Sequence, residues 1–450
     1  MTAPGDQIRA LPERYGRTTL VLLGLILVLG LGLRAYRVVE PLASPGDDAH
    51  AYYALSKSLY VEGSYGGPTF EDPSDWSPGA PLLYAASFYA TGGAREGTAR
   101  IVEALLGLAA IVVVFALGRR IACAPAGLVA AFCVAVYPPF IHSTGALMSE
   151  PPAILTLPTA VLAFLWASDQ PRLRGWLLPG LLFGLTALIR PEYLIVGAAF
   201  VLLALIRVGR ERGWRPGARG AALLLVAFVL PMVPWTIRNY DVLGRFVPIS
   251  TGGGKALYVG TFLPADGEYL RVKALLARRY LHRDLDPNSE ALDAVNPTPL
   301  FNRVAARYPK LPRDSALGKI GKQNFSHYFG ADPLGYLGMT VRKVGRMWSS
   351  GVGEAMSSTA GRAMQLLIVA LALAGFAVLA WRRWWWELAA MATPIVLVTL
   401  IGAASLAASR RNEVLMTLVF PLAGAALSRG AAALLSSGPW PSRQESSPRN

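Results

Sequence analysis

Apolar runs of bilayer length, separated by short basic segments, constrain this chain more than any other feature. Hydrocarbon gives a backbone no hydrogen-bonding partner, so each such run has to fold as a helix that satisfies itself. The first, TTLVLLGLILVLGLGLRAY, follows Arg9, Arg14 and Arg17 and is trailed by no small-x-small cleavage pattern, which predicts an uncleaved first span. Others fall near 99–118, 122–141, 152–168, 175–190, 192–206, 220–237, 362–381, 385–404 and 413–428, about ten in all, while PLLYAASFYA (81–90) is short enough to dip without crossing. Composition agrees: 53% of the 450 residues are hydrophobic and 16% are charged, against about 25% charged in an ordinary soluble domain. The expected fold class is an all-α polytopic membrane protein.

Charge sets the orientation. Arg119 and Arg120, Arg172 and Arg174, the group Arg207, Arg210, Arg212, Arg215 and Arg219, and Arg382 and Arg383 all lie in alternate inter-span segments, whereas 142–150 holds no Lys or Arg. By the positive-inside rule both termini are expected in the cytoplasm of a cell bounded by this plasma (inner) membrane. The net charge of +15 is dispersed over these loops, so topology accounts for it and a nucleic-acid surface is not expected. Cys123 and Cys133 offer neither a disulfide framework nor a CxxC metal site. The organisation follows: a cytoplasmic N-terminus (1–17), a bundle (18–237) that includes the outer loop 40–98, an extracytoplasmic loop domain (238–361), C-terminal spans (362–430) and a disordered cytoplasmic tail (431–450). The loop domain is expected to be small and mixed or helical. RFVPISTGGGKALYVG suggests short strands about a glycine turn, RVKALLARRYL a helix, and PLGYLGMTVRKVGRMWSS an amphipathic helix returning to the membrane.

Chemistry is expected where charge is costly. Asp47 and Asp48, in SPGDDAHAYYALSKSLY, follow the first span, and one of them suits the N-cap of a helix beginning near Ala49. A carboxylate held at a helix start is stabilised by the helix dipole and is able to act as a general base. Glu150, before Pro151 and Pro152, is a second acid at the same outer level. Arg190, Arg238, Arg410 and Arg411 stand at outer ends of spans, where positive charge is disfavoured, and guanidinium groups suit a lipid phosphate; Lys57 and Lys255 are further candidates. His50, Tyr52, His142 and Tyr258 are expected to line a substrate pocket. Gly252–Lys255 lacks the earlier glycine of a phosphate loop, residues 284–296 lack the turn glycine and final acid of a calcium loop, and Asn324-Phe325-Ser326 is a bare sequon.

Taken in order, GDDAHAYYALSKSL, SPGAPLLYA, VAVYPPFIHSTGALMSEPPAILT, FGLTALIRPEYLI, PWTIRNYDVLGRFVPISTGGGKALYVG and RRNEVLMTLVFPLAG resemble the polyprenyl-phosphate-sugar glycosyltransferases of the GT-C fold. Specifically, they resemble bacterial family 39 proteins, relatives of the protein O-mannosyltransferases and the lipid A aminoarabinose transferases. The resemblance implies inverting transfer of a hexosyl or pentosyl group from a polyprenyl-phosphate donor to a hydroxyl of a lipid, protein or glycan on the outer face. It assigns Asp47 as base, Asp48 as its acidic neighbour, and Glu150 as the acid that orients a substrate or holds a divalent cation where one is used. Arg190 and either Arg410 or Arg411 match positions near the donor phosphate; the adjacent arginine pair followed by Asn412 departs from the family pattern and leaves both open. No nucleotide or covalent nucleophile is required. A second class, a flippase or transporter of lipid-linked sugars, would instead favour mid-span charges and repeat symmetry.

Overall fold

The computed structural model describes residues 16–40, 46–66 and 73–435, without the side chains at 46, 47, 73 and 431–435. The first half of the chain forms α1 (Arg17–Val39), α2 (Gly46–Glu62), α3 (Gly79–Thr91), α4 (Glu96–Ile121), α5 (Ala124–Val136), α6 (Pro138–Ser143), α7 (Glu150–Asp169), α8 (Leu177–Ile189), α9 (Tyr193–Arg212), α10 (Trp214–Val229) and α11 (Val233–Leu243). A helical domain follows: α12 (Gly253–Gly260), α13 (Tyr269–Leu281), α14 (Glu290–Asp293), α15 (Pro297–Ala305), α16 (Arg313–Ala331), α17 (Pro333–Ser349) and α18 (Glu354–Ser357). The chain then returns to the bundle as α19 (Thr359–Trp381), α20 (Trp385–Ala404) and α21 (Ser409–Leu435).

Among the described residues eight helical segments are long and apolar enough to cross a membrane, with α10 and α11 counted as one, and the shorter apolar helices α5 and α8 complete the expected set. Proline fixes several boundaries. It stands in the first turn of α5, α6, α7 and α17, where a missing N–H costs nothing. Close crossings need small residues: a Cβ on Gly375 of α19 would lie 2.1 Å from the Leu422 carbonyl oxygen of α21. One charge is buried within the first span. Arg34, 0% exposed, donates to the carbonyl oxygens of Gly30 (3.2 Å), Ala135 (3.3 Å) and Val134 (3.0 Å), which offsets the cost of its position and docks α1 on α5.

Ion pairs mark the two ends of the bundle. At one end Arg120, closing α4, meets Asp169, closing α7, and Glu387, opening α20, each at 2.9 Å. Alternation from those ends puts the start of α7, the start of α21 and the whole helical domain together at the other end, here called the domain side.

The domain differs from the mixed reading. It contains helices and no strand among its described residues, around a core of Tyr258, Val259, Val272, Leu276, Leu300, Phe301, Leu317 and Ile320. The segment expected as strands becomes α12, because a partner distant in sequence completes its N-terminus. The Asp314 carboxylate accepts from the N–H groups of Gly254 (2.7 Å) and Lys255 (3.3 Å). This contact also occupies the glycine turn at Gly252–Lys255, already set aside as a phosphate loop. RVKALLARRYL is helical, as α13. In the C-terminal tail α21 continues through Leu435, so the boundary expected at 430 moves, and 436–450 lie outside the described residues, as do 1–15 of the N-terminus.

Asp314 gives the domain a testable pH dependence. Burial, joined by repulsion from Asp75, outweighs the two N–H bonds and raises its carboxyl from 3.8 to about 6. A pKa higher in the folded than in the unfolded chain means that the stabilisation is complete below 3.8 and is lost as pH rises through about 6. Thermal unfolding followed over that window is expected to show the slope in the parent and a flatter profile in Asp314→Asn; parallel profiles would contradict it.

Candidate active site

Four chain segments meet at the domain side. The start of α2 brings Asp48, the turn into α7 brings Ser149 and Glu150, the α8–α9 turn brings Arg190 and Glu192, and the start of α21 brings Arg410 and Arg411. Arg410 bridges two of them, with Nη1 on Asp48 and Nε 2.8 Å from Glu150 Oε1. Arg190 reaches the same Glu150 oxygen through Nη1 at 2.9 Å, holds Glu192 through Nε at 2.9 Å, and touches Ser149 Oγ at 3.4 Å. Glu150 is 1% exposed, so one buried carboxylate joins two guanidinium groups. Burial works to raise the Glu192 carboxyl, but Arg190 and Arg411 together outweigh it and hold it below the usual range.

Arg411 differs from its neighbour. It forms no ion pair among the described residues, and the side-chain hydrogen bond it makes is a long one, to Ser405 Oγ at 3.3 Å. Tyr52 stands one turn after Asp48 on α2, buried, with Trp76 edge-on at 5.4 Å. Burial pushes its hydroxyl up to about 12, with Ser149, Glu150, Asp48 and Arg410 as its polar surroundings.

The expected residues divide clearly. Asp48, Tyr52, Glu150, Arg190 and Arg410 are brought into one cluster, with Arg411 beside it. Asp47 stands in the first turn of α2, and its side chain lies outside the described residues. Lys57 is exposed and, nine residues from Asp48, points to the opposite side of α2. His50 is exposed on the same helix. Arg238 is engaged elsewhere: it donates to Ser74 Oγ, Asn239 Oδ1 and the Tyr65 carbonyl, each at 3.0 Å, and lies over the rings of Tyr65 and Trp235. It fastens the first outer loop to α11. Tyr258 belongs to the core of the helical domain against Phe301, where burial raises its hydroxyl to about 12. His142 packs beside Gly353, and burial and Arg37 lower its pKa. Among the described residues no three His, Cys, Asp or Glu side chains gather to hold a metal ion.

Three supporting charges were not singled out from the sequence. Glu103, buried in α4, accepts from Tyr84 Oη (2.7 Å) and from the N–H groups of Gly145 (2.7 Å) and Met148 (3.0 Å), fixing the turn that delivers Glu150. Lys343 of α17 donates to the carbonyl oxygens of Gly260 (2.7 Å), Ala403 (2.9 Å) and Ser405 (2.9 Å), pinning the turn ahead of Arg410. Burial above all, then Arg346 and Arg411, lower its pKa to about 8. Gly260 permits this approach, since a Cβ there would lie 2.0 Å from the Ser405 carbonyl carbon. Glu413, one turn beyond Arg410, is 1% exposed beneath the cluster. Glu103 and Glu413 are acids at or within expected spans, which was the available signal, whereas Lys343 stands among Arg342 and Arg346 and carried none.

Known proteins share this architecture. Residues 75–235 match the family model described as dolichyl-phosphate-mannose-protein mannosyltransferase. No curated protein matches the chain in sequence. The archaeal oligosaccharyltransferase AglB from Archaeoglobus fulgidus, solved with an inhibitory peptide and a dolichol-phosphate, superposes with a TM-score of 0.55 at 14% identity, over 95% of this chain and 53% of that one. The same enzyme tethered to an acceptor peptide containing the NVT sequon gives 0.55 at 16%, over 94% and 51%. ArnT from Cupriavidus metallidurans, bound to undecaprenyl phosphate, gives 0.39 at 17%, over 92% and 78%. The chain therefore spans about half the length of the oligosaccharyltransferases it matches. It is a multi-pass membrane protein with the GT-C fold. Within that fold, residues 75–235 carry the pattern of the mannosyltransferase family model.

Proposed function

We propose that this protein transfers a sugar from a polyprenyl-phosphate donor to an acceptor hydroxyl, with inversion, at the domain side of the bundle, and that this side faces away from the cytoplasm. The observation that carries the reading is the cluster itself: carboxylates and guanidinium groups from four segments gathered at one end of a GT-C bundle, with Arg411 near Glu192 but in no direct carboxylate ion pair among the described residues. Arg410 and Arg190 are neutralised by Asp48, Glu150 and Glu192, so they serve to organise the site. Arg411 is the cation available to an incoming phosphate.

Asp47 takes the proton of the attacking hydroxyl, the acceptor oxygen bonds to the anomeric carbon, and the bond from that carbon to the phosphate oxygen breaks. Arg411 stabilises the negative charge that grows on the departing lipid phosphate. Grooves between the spans take the isoprenoid tail. The dolichol-phosphate and peptides named with the oligosaccharyltransferase, and the mannosyltransferase family model, support a lipid-linked donor.

Release of polyprenyl phosphate from a synthetic polyprenyl-phosphate sugar tests the proposal. The purified parent is expected to turn over. Arg411→Ala is expected to weaken the donor by about tenfold or more, given roughly 1.5–3 kcal/mol for a hydrogen bond to a charged group, and Arg411→Lys is expected to recover part of it. An unchanged donor KM in Arg411→Ala would overturn the phosphate assignment. Donor binding without turnover by the parent would favour a carrier of lipid-linked sugars.

A further inference from the structure

The elbow between α16 and α17 carries an apolar surface that the protein itself does not cover. On α17, Leu334, Leu337 and Val341 recur at helical spacing and are 82, 51 and 71% exposed. The opposite face of the same helix, Tyr336, Met339, Lys343 and Met347, is buried against the protein. At the end of α16, Phe325 and Phe329, 46 and 38% exposed, stack on each other at 5.4 Å and pack on Tyr336. A helix that is apolar on two opposed faces is poorly suited to water on either of them.

Its neighbours identify what covers the outer face. Trp348, at the end of α17, donates its indole N–H to Thr399 Oγ1 of α20 at 3.1 Å. Thr399 lies five residues before the end of that span, so the C-terminal end of α17 reaches about 7 Å below the end of α20 at 1.5 Å rise per residue, while Lys343 meets that end at Ala403 and Ser405. Val396 and Leu400 of α20 are themselves 50 and 57% exposed, as lipid-facing residues of a span are. Arg342 and Arg346 leave the apolar stripe for Asp266, and Lys319, which lies over the Tyr308 ring at 4.2 Å, and Lys322 are exposed on α16 about two to three turns before Phe329.

We infer that the α16–α17 elbow is embedded in the bilayer leaflet on the domain side, with Leu334, Leu337, Val341, Phe325 and Phe329 among the acyl chains. The occupant of this face is lipid, not a second copy or a partner protein. Lys343 projects from the other face of α17 and holds the turn before Arg410, so the depth at which this helix rides in the leaflet also fixes the depth of that turn.

Single-cysteine labelling tests the inference without reference to any activity. In a Cys123→Ser, Cys133→Ser background, Leu334→Cys, Val341→Cys and Phe325→Cys are labelled with an environment-sensitive NBD probe, and Glu290→Cys, exposed on α14, serves as the aqueous reference. The proteins are placed one copy per phosphatidylcholine nanodisc, with and without brominated acyl chains. Blue-shifted emission and severalfold stronger quenching by bromolipid at 334, 341 and 325 than at 290 is the expected result. Emission at those positions matching 290 would overturn the inference. Blue-shifted emission that bromolipid leaves unquenched would also overturn it, because protein and not lipid would then cover the face.

Discussion

Glu150→Gln is expected to cost the folded protein about 3–5 kcal/mol, the usual penalty for removing one partner of a buried ion pair. The glutamine keeps the shape and an acceptor oxygen but withdraws the negative charge shared by Arg190 and Arg410, whose nitrogens lie 2.9 and 2.8 Å from the same carboxylate oxygen. Two guanidinium groups are then left facing each other at a site where the carboxylate was 1% exposed. Chemical or thermal unfolding in detergent reads the loss directly. Arg410→Gln introduced into the Glu150→Gln chain is expected to restore part of the stability, because the pair acts as a unit and the two losses do not add. Equal stability of parent and Glu150→Gln would mean that the cluster is not held together by this carboxylate.

The second large effect is chemical. Asp47→Asn is expected to lower turnover by roughly 10²–10⁴-fold, the range associated with a positioned general base. The substitution keeps size and hydrogen bonding at the first turn of α2 and removes the ability to accept a proton. Donor binding is expected to change little, since the phosphate is assigned to Arg411 on a different helix. Asp48→Asn provides the contrast. Its carboxylate is engaged by Arg410, so its loss is expected to loosen the cluster and raise donor KM as well as lower turnover.

Much of this architecture was legible before any coordinates. A backbone in hydrocarbon has so few options that run length and the distribution of arginine determine spans and their alternation. Acids at span ends and positive charge at their outer ends are both disfavoured, which singles out Asp48 and Glu150 on one ground and Arg190 and Arg410 on the other. Sequence gives the level of a charge, however, and not its contact. Arg238 lies at the right level but its guanidinium is engaged by Ser74, Asn239 and Tyr65, and Lys57 is on the wrong side of its helix. The helical domain was misread at Gly253–Gly260 because a few alternating residues fit a strand or a helix equally, and the deciding partner, Asp314, comes from a helix elsewhere in the domain. The roles of Arg34, Glu103 and Lys343 are not legible in the sequence because their partners are mostly backbone groups brought in from distant segments.

The most direct measurement is single-turnover release of polyprenyl phosphate from a radiolabelled polyprenyl-phosphate sugar by purified parent and Asp47→Asn, each protein in saturating excess over the donor and with an acceptor alcohol present. The parent is expected to form the glycoside with inverted anomeric configuration while Asp47→Asn binds the donor and leaves it intact. Equal release by the two proteins, or a product of retained configuration, would contradict the account.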